Sequence, residues 1–208
     1  AKSIFGTIGW IHVHVHIINE GNINHQVLKE FTKHNKFTYT WEDVNNDFYV
    51  NLRKDKHRMR EGMSIFKTAD MDYIARRTYL ASVRFMRLNQ LFKNQDTHIL
   101  QIDCDSVLRN GFHQSKFRDL TKFVGVMPKP KDPAVFIASA LTLGLGPNGM
   151  QFRDLFATRL IEGFEKGCYW YIDQDVLKNV VREWKVDFNL PYNNIPYKWN
   201  AWGIKKDD

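Results

Sequence analysis

At 208 residues, with 43% hydrophobic residues and 14% aromatics, the chain can bury one substantial core and is too short for two independent ones. No run of about 18 or more apolar residues occurs, and the N-terminus lacks the basic, apolar and small-residue order of a signal peptide. A soluble, cytoplasmic protein is therefore expected, unless an anchor or signal precedes Ala1. Cys104 and Cys168 have no CxxC partner, which excludes a zinc motif or a disulfide framework and points to a reducing compartment.

The formal net charge of +7 suggests an anionic partner, but the 30 basic residues are spread over the whole length. The one dense cluster, Arg53-Lys54-Asp55-Lys56-His57-Arg58-Met59-Arg60, is a nucleic-acid patch, a phosphate-facing loop or a solvated surface; with no nucleic-acid fingerprint beside it, the last is expected.

In chain order, Ile11-His12-Val13-His14-Val15-His16-Ile17-Ile18 alternates strictly, which predicts a strand with three histidines on one face. Same-face residues on a strand lie about 7 Å apart, too far for three imidazoles to meet one ion, so a half-buried polar sheet face is expected. A turn over Asn19 to Asn22 leads to a short helix from about Asn24. Lys36 to Trp41 predicts a second strand, with Phe37, Tyr39 and Trp41 on one side, and Glu42 to Gly62 a long polar connection.

From about Met71, Ile74, Thr78, Ala81, Phe85, Leu88 and Phe92 recur at helical spacing. Asp70 and Asp72 suit the first turn of this long helix. Arg77, Arg84 and Arg87 lie near one side of it. Either they form a solvated arginine face, or one of them, best Arg84, reaches phosphate oxygens beside the acids that follow.

Those acids close the apolar run Thr97 to Leu108, which predicts a buried strand carrying Asp103 and Asp105 at its tip. Alternation places both carboxylates on one side and Cys104 on the other. At roughly 6 Å and an effective dielectric of about 20, their repulsion is on the order of 3 kcal/mol. A hard divalent cation taking oxygen ligands from both removes it.

Lys122 to Met127 predicts a strand, Pro128 to Pro133 a stiff turn, Ala134 to Leu145 an apolar strand, and Met150 to Lys166 a helix. The small residues from Gly144 to Gly149 serve either close approach or ordinary turn chemistry. Tyr169-Trp170-Tyr171-Ile172-Asp173-Gln174-Asp175 opens the last helix, with Asp173 placed as N-cap and Asp175 in the first turn. The alternative is that the aromatics line a sugar or ring pocket and the acid orients a hydroxyl. Val186 to Trp202 reads as an ordered closing segment.

Three blocks in this order, Ala81 to Leu88, Ile99 to Leu108 and Asp173-Gln174-Asp175-Val176-Leu177, resemble glycosyltransferases of the GT-A fold with DxD and DQD motifs, similar to the glycosyltransferase family 8-like group. Val135 to Leu145 is similar to the family's "aGxxxl" strand, with Ala138-Ser139-Ala140 where a glycine is usual. The resemblance implies an α/β fold, a GT-A (nucleotide-diphospho-sugar transferase) Rossmann-like mixed sheet flanked by helices, forming a single catalytic domain over residues 1–208.

It further implies a metal-dependent, hexosyltransferase-like enzyme moving a sugar from a nucleoside-diphosphate donor, UDP-linked by family habit, to a glycan, protein or small-molecule acceptor. Asp103 and Asp105 match the DxD that binds Mn2+ or Mg2+, and with Arg84 they match the donor-binding residues. Asp173 and Asp175 match the catalytic DQD. The family commonly has a further metal-binding histidine near its C-terminus, and no histidine follows His113 here. The histidine-rich strand suits the second strand of that fold, which implies that the base-binding first strand is absent or supplied by preceding chain.

Two other classes share some of these features. In a haloacid-dehalogenase-type phosphatase Asp103 acts as nucleophile and Asp105 as general acid, but that motif normally stands near the N-terminus. A degenerate transferase scaffold binding nucleic acid or another polyanion through its basic surface is the other; for the transferase itself nucleic acid is not the expected partner.

Overall fold

The computed structural model describes residues 11–19, 21, 25–33, 36–44, 71–93, 97–103, 107–108, 113–167, 169, 171–196 and 200–201. The basic cluster Arg53 to Arg60, Asp70, Cys104, Asp105, Cys168 and Trp170 lie outside the described residues.

Alternating histidines and β-branched residues form β1 (Val13–Asn19), followed by α1 (His25–Thr32) and β2 (Phe37–Asp43). β1 and β2 pair in parallel, in register from Val13 opposite Phe37 to Asn19 opposite Asp43. A parallel pair needs a crossover, and α1 lies in it. The second strand runs two residues past Trp41, so Glu42 and Asp43 belong to the sheet rather than to the loop expected there. The long amphipathic helix α2 spans Met71–Leu91.

β3 (Ile99–Ile102) stops one residue before Asp103, and β4 (Val107–Leu108) pairs elsewhere, antiparallel to β8 (Asn200–Ala201). The single strand expected over Thr97 to Leu108 is thus two short ones. Between β4 and β8 come α3 (Gln114–Leu120), β5 (Val124–Lys129), β6 (Asp132–Leu143), α4 (Pro147–Lys166), α5 (Ile172–Val186) and β7 (Tyr192–Asn194). Pro128 lies inside β5, so the turn into β6 is confined to Pro130 and Lys131.

The main sheet has the order β3-β6-β5-β7. β6 runs antiparallel to β3 and β5, and β5 is parallel to β7. Every residue from Phe136 to Leu143 is buried, because both faces of the strand are covered; such strands read as continuous apolar runs. One face carries Ile99, Val124, Val126, Leu141 and Leu143 into a core shared with α2, α4 and α5. The other packs Met127 and Ala140 against Phe117 of α3 and Ile195. Gly144 ends β6 where the Thr121 carbonyl comes so close that a Cβ would collide with it, so the small residue there serves backbone approach.

α4 and α5 are held by interlocking aromatics. Trp184 meets Phe152 edge-on at 5.3 Å between ring centroids and donates Nε1–H to the Pro191 carbonyl at 3.3 Å. Each such buried side chain contributes about 1.5–3 kcal/mol. Arg153, only 4% exposed, donates to the Phe92 carbonyl at 2.7 Å and so satisfies backbone just past the end of α2.

On the outside, Arg159 binds both oxygens of Glu183 at 2.8 and 3.0 Å and also contacts Glu162. The hydrogen bonds from Arg159 hold the Glu183 carboxyl below its usual range. A depressed carboxylate stabilises above its unfolded pKa and loses that contribution as pH falls through the folded one. Arg159→Ala is expected to cost under about 1 kcal/mol at neutral pH, and the difference should vanish in acid when urea unfolding is compared across pH.

Candidate functional site

The site forms where β3, β6, α2 and α5 meet. Asp103 follows the last residue of β3, and its N–H donates to the Ser139 carbonyl at 3.0 Å, extending the ladder with β6 by one step. That bond fixes the backbone from which the carboxylate projects. Arg84, midway along α2, forms an ion pair with Asp103 through one guanidinium nitrogen. A second nitrogen donates to the Ala138 carbonyl at 2.9 Å and stands 3.8 Å from Asp173 Oδ2. The guanidinium also lies 4.5 Å from the centroid of the Phe85 ring, a cation–π distance.

Arg84 is therefore neither on a solvated face nor a free arm. It reaches across from the helix to join two carboxylates and a strand carbonyl, and its neighbour Arg87 is likewise drawn inward, to Glu42. Arg77 contacts Tyr73 one turn away on the same helix.

Asp173 is 6% exposed, and it is not the N-cap expected from the sequence. The cap is Tyr171, in the left-handed region with φ 73° and ψ 14°. Its carbonyl already accepts from Gln174 and Asp175 N–H, so the helix begins before Asp173 and leaves that side chain out of the capping. Asp173 Oδ1 instead accepts from the Gln174 N–H at 3.0 Å, and Oδ2 faces Arg84. A bulky residue at positive φ is uncommon and carries strain, and such positions gather at functional sites.

Burial pushes the Asp173 carboxyl above its ordinary range, and the Arg84 charge only partly offsets this. Desolvation disfavours the charged form of any acid, and at 3.8 Å the arginine is too far to compensate in full.

Asp175 stands in the first turn of α5 as expected, exposed, and accepts from the Tyr169 hydroxyl at 2.9 Å. The structure thus brings Arg84, Asp103 and Asp173 together and leaves Asp175 at the rim. Asp105 lies outside the described residues. Sequence reasoning misses the Ala138 carbonyl, because a backbone oxygen leaves no mark in a sequence. It finds Tyr171 only as an aromatic, since nothing in the residue type signals positive φ.

Among the described residues the cluster joins two carboxyl groups to one guanidinium, and carboxylate oxygens suit hard cations such as Mg2+ and Mn2+. Among the described residues, no group of three His, Cys, Asp or Glu side chains is placed to hold a metal ion. Asp103, with a side chain 23% exposed, is the acid of the cluster that faces both Arg84 and solvent.

No protein-family model matches the chain, and no curated protein does. Among solved structures, one described as a transferase mutant superimposes with a TM-score of 0.53 at 8% identity, over 97% of this chain and 81% of that one. The chain has a mixed α/β fold similar in architecture to that structure. At this identity the likeness extends to architecture alone. No helix among the described residues is long and apolar enough to cross a membrane.

Proposed function

We propose that the chain is a metal-dependent glycosyltransferase that moves a sugar from a nucleoside-diphosphate donor, with UDP the expected carrier, to a hydroxyl acceptor. The observation that carries this reading is the meeting of Asp103, Arg84 and Asp173 in one cluster, three residues that the DxD, helix and DQD blocks place 89 positions apart at their extremes (173 − 84 = 89). The transferase-like architecture supports it at the level of fold.

In this reading Asp103 and Asp105 hold Mg2+ or Mn2+. When bound, the ion neutralises charge on the departing diphosphate as a Lewis acid. Arg84 keeps the Asp103 carboxylate oriented and adds fixed positive charge on the donor side. Asp173, buried and biased toward its protonated form, hydrogen-bonds a sugar or acceptor hydroxyl, because a desolvated acid next to a cation can donate or accept a proton at small cost. Asp175, tied to Tyr169 at the rim, is the second acid, oriented toward the acceptor.

The test is calorimetric titration of UDP and GDP into the protein, with and without Mn2+. The expected result is metal-dependent binding of one nucleotide, weakened about 100-fold or more by Asp103→Asn, since even residues that merely support a metal ligand reach that figure. Equal binding with and without metal, or by the variant, would sink the metal-dependent reading.

A further inference from the structure

The three histidines of β1 are not a simple polar face. His12 Nε2 lies 2.9 Å from Thr38 Oγ1, and the same hydroxyl lies 2.9 Å from His14 Nδ1. His14 Nε2 is 3.0 Å from Thr40 Oγ1, which is 2.8 Å from His16 Nδ1. His16 Nε2 then faces Glu42 Oε2 at 3.6 Å. That last approach is longer than a hydrogen bond, a dipole facing a carboxylate while the His16 ring is neutral.

The in-register parallel pairing produces this arrangement, because it sets His14 opposite Thr38 and His16 opposite Thr40 with each threonine reaching two successive imidazoles. Glu42 is in turn anchored on α2: Arg87 Nε donates to Oε2 at 2.7 Å and the Tyr79 hydroxyl to Oε1 at 3.0 Å.

Proton counting gives the chain a direction. Each hydroxyl has one proton, and each neutral imidazole has one donor and one acceptor nitrogen. If His16 points its Nε2–H at the Glu42 carboxylate, its Nδ1 accepts from Thr40, Thr40 accepts from His14 Nε2–H, His14 Nδ1 accepts from Thr38, and Thr38 accepts from His12 Nε2–H. The reverse set aims the His16 lone pair at a carboxylate and is disfavoured.

We propose that His12, Thr38, His14, Thr40 and His16 form one polarised hydrogen-bond chain, given its direction by the Glu42 carboxylate at its inner end, that latches the β1–β2 pair onto α2 and is released by protonation of His14 or His16. A proton added to either ring at Nδ1 turns the adjoining threonine into a double acceptor and leaves its own O–H with no acceptor in the chain. The groups facing the imidazoles decide the sign. His14 has His12 and His16 on either side and the edge of Phe92 at 5.7 Å between centroids; His16 has Glu42, which favours its charge, and Arg87, which opposes it.

Burial lowers the affinity of both rings for a proton, with neighbouring imidazoles adding to it at His14 and Arg87 at His16. A histidine with a lowered folded pKa costs nothing above about pH 6.5, and the fold loses stability as pH falls from there through the folded value. The latch therefore closes at neutral pH and opens in acid. Its inner end lies on α2 one turn from Arg84, so release loosens the helix that carries the site arginine.

The experiment is long-range 1H–15N correlation of the histidine side chains from about pH 8 to about pH 5, the range in which an imidazole titrates, on the whole chain and without any nucleotide. His14 and His16 are expected as neutral Nε2–H tautomers that titrate below about pH 6.5, together with amide shifts in β2 and around Tyr79 and Arg87. Thr40→Val should uncouple the two rings and leave mixed tautomers at His14, while Thr40→Ser restores the pattern. Glu42→Gln, which removes the carboxylate that sets the direction, should mix the tautomers at His16. An Nδ1–H tautomer at either ring, ordinary midpoints, or a titration untouched by Thr40→Val and Glu42→Gln would overturn the proposal.

Discussion

Arg84→Met is expected to destabilise the protein by about 2–3 kcal/mol at neutral pH and to abolish metal-dependent nucleotide binding. Removing one partner of a fully buried ion pair costs about 3–5 kcal/mol, because the remaining charge stays desolvated. Here the Arg84 and Asp103 side chains are each 23% exposed, which reduces the figure. Three groups lose their counterpart together: Asp103, the Ala138 carbonyl and Asp173. Methionine keeps much of the volume beside Phe85 and removes only the charge and the donors.

The pH dependence separates charge loss from a packing defect. Protonating the Asp173 carboxyl, which burial pushes up, removes part of the uncompensated charge, so the gap between variant and native chain should narrow in urea unfolding as pH falls through its raised folded value. A gap constant in pH would assign the loss to packing. Arg84→Lys should recover only part of the stability, because a single ammonium cannot span three acceptors as a planar guanidinium does.

The elements of this fold are legible wherever one periodicity dominates. α2, α4 and α5 carry apolar residues at helical spacing, and β1 carries strict alternation, so their types and approximate ends follow from local pattern. The acid strand is shorter than its pattern suggests, because Val107 and Leu108 continue its apolar run. Apolar character cannot tell which neighbour a strand pairs with, and these two residues pair with β8 rather than β6. The cap of α5 departs from expectation for a related reason. Asp173 is a good N-cap by residue type, but Tyr171 takes a left-handed conformation that type does not reveal, and Arg84 draws the acid inward.

Within the site, the inward reach of Arg84 is one of two readings that the sequence leaves open, since three arginines on one side of a helix serve equally as a wet surface. Burial decides between them. The histidine ladder shows a different limit. The half-buried polar face is legible from β1 alone, yet its partner groups Thr38, Thr40 and Glu42 alternate in β2 with the same period. The two alternating polar faces interlock here because the strands pair in parallel with His14 opposite Thr38 and His16 opposite Thr40, and register is a tertiary property. Glu42 reads as loop in the sequence because charge at a strand end resembles a turn.

Asp173→Asn is expected to lower transferase turnover by at least about 100-fold, the lower range for loss of a positioned acid or base, while raising stability at neutral pH. The gain should be on the order of 1 kcal/mol, as for other substitutions that relieve a functional site. Its origin is the carboxylate itself, buried and only distantly offset by Arg84. Asparagine is nearly isosteric, and its oxygen can still accept the Gln174 N–H that Oδ1 now accepts.

The sign follows from the raised carboxyl pKa of Asp173. A group whose folded pKa exceeds its unfolded one stabilises fully below the unfolded value and loses that contribution as pH rises through the folded value. The native chain therefore carries the cost of burying this acid at neutral pH and not at about pH 3, below the ordinary carboxylate range, while the asparagine variant carries it at neither. The stability difference should be near zero in strong acid and grow with pH. A variant less stable than the native chain at neutral pH would mean that the Asp173–Arg84 attraction outweighs desolvation, and the acid would then be structural as well as functional. Greater stability with lost turnover would mark Asp173 as a residue kept at the expense of the fold, as expected of a buried acid that acts on a substrate hydroxyl.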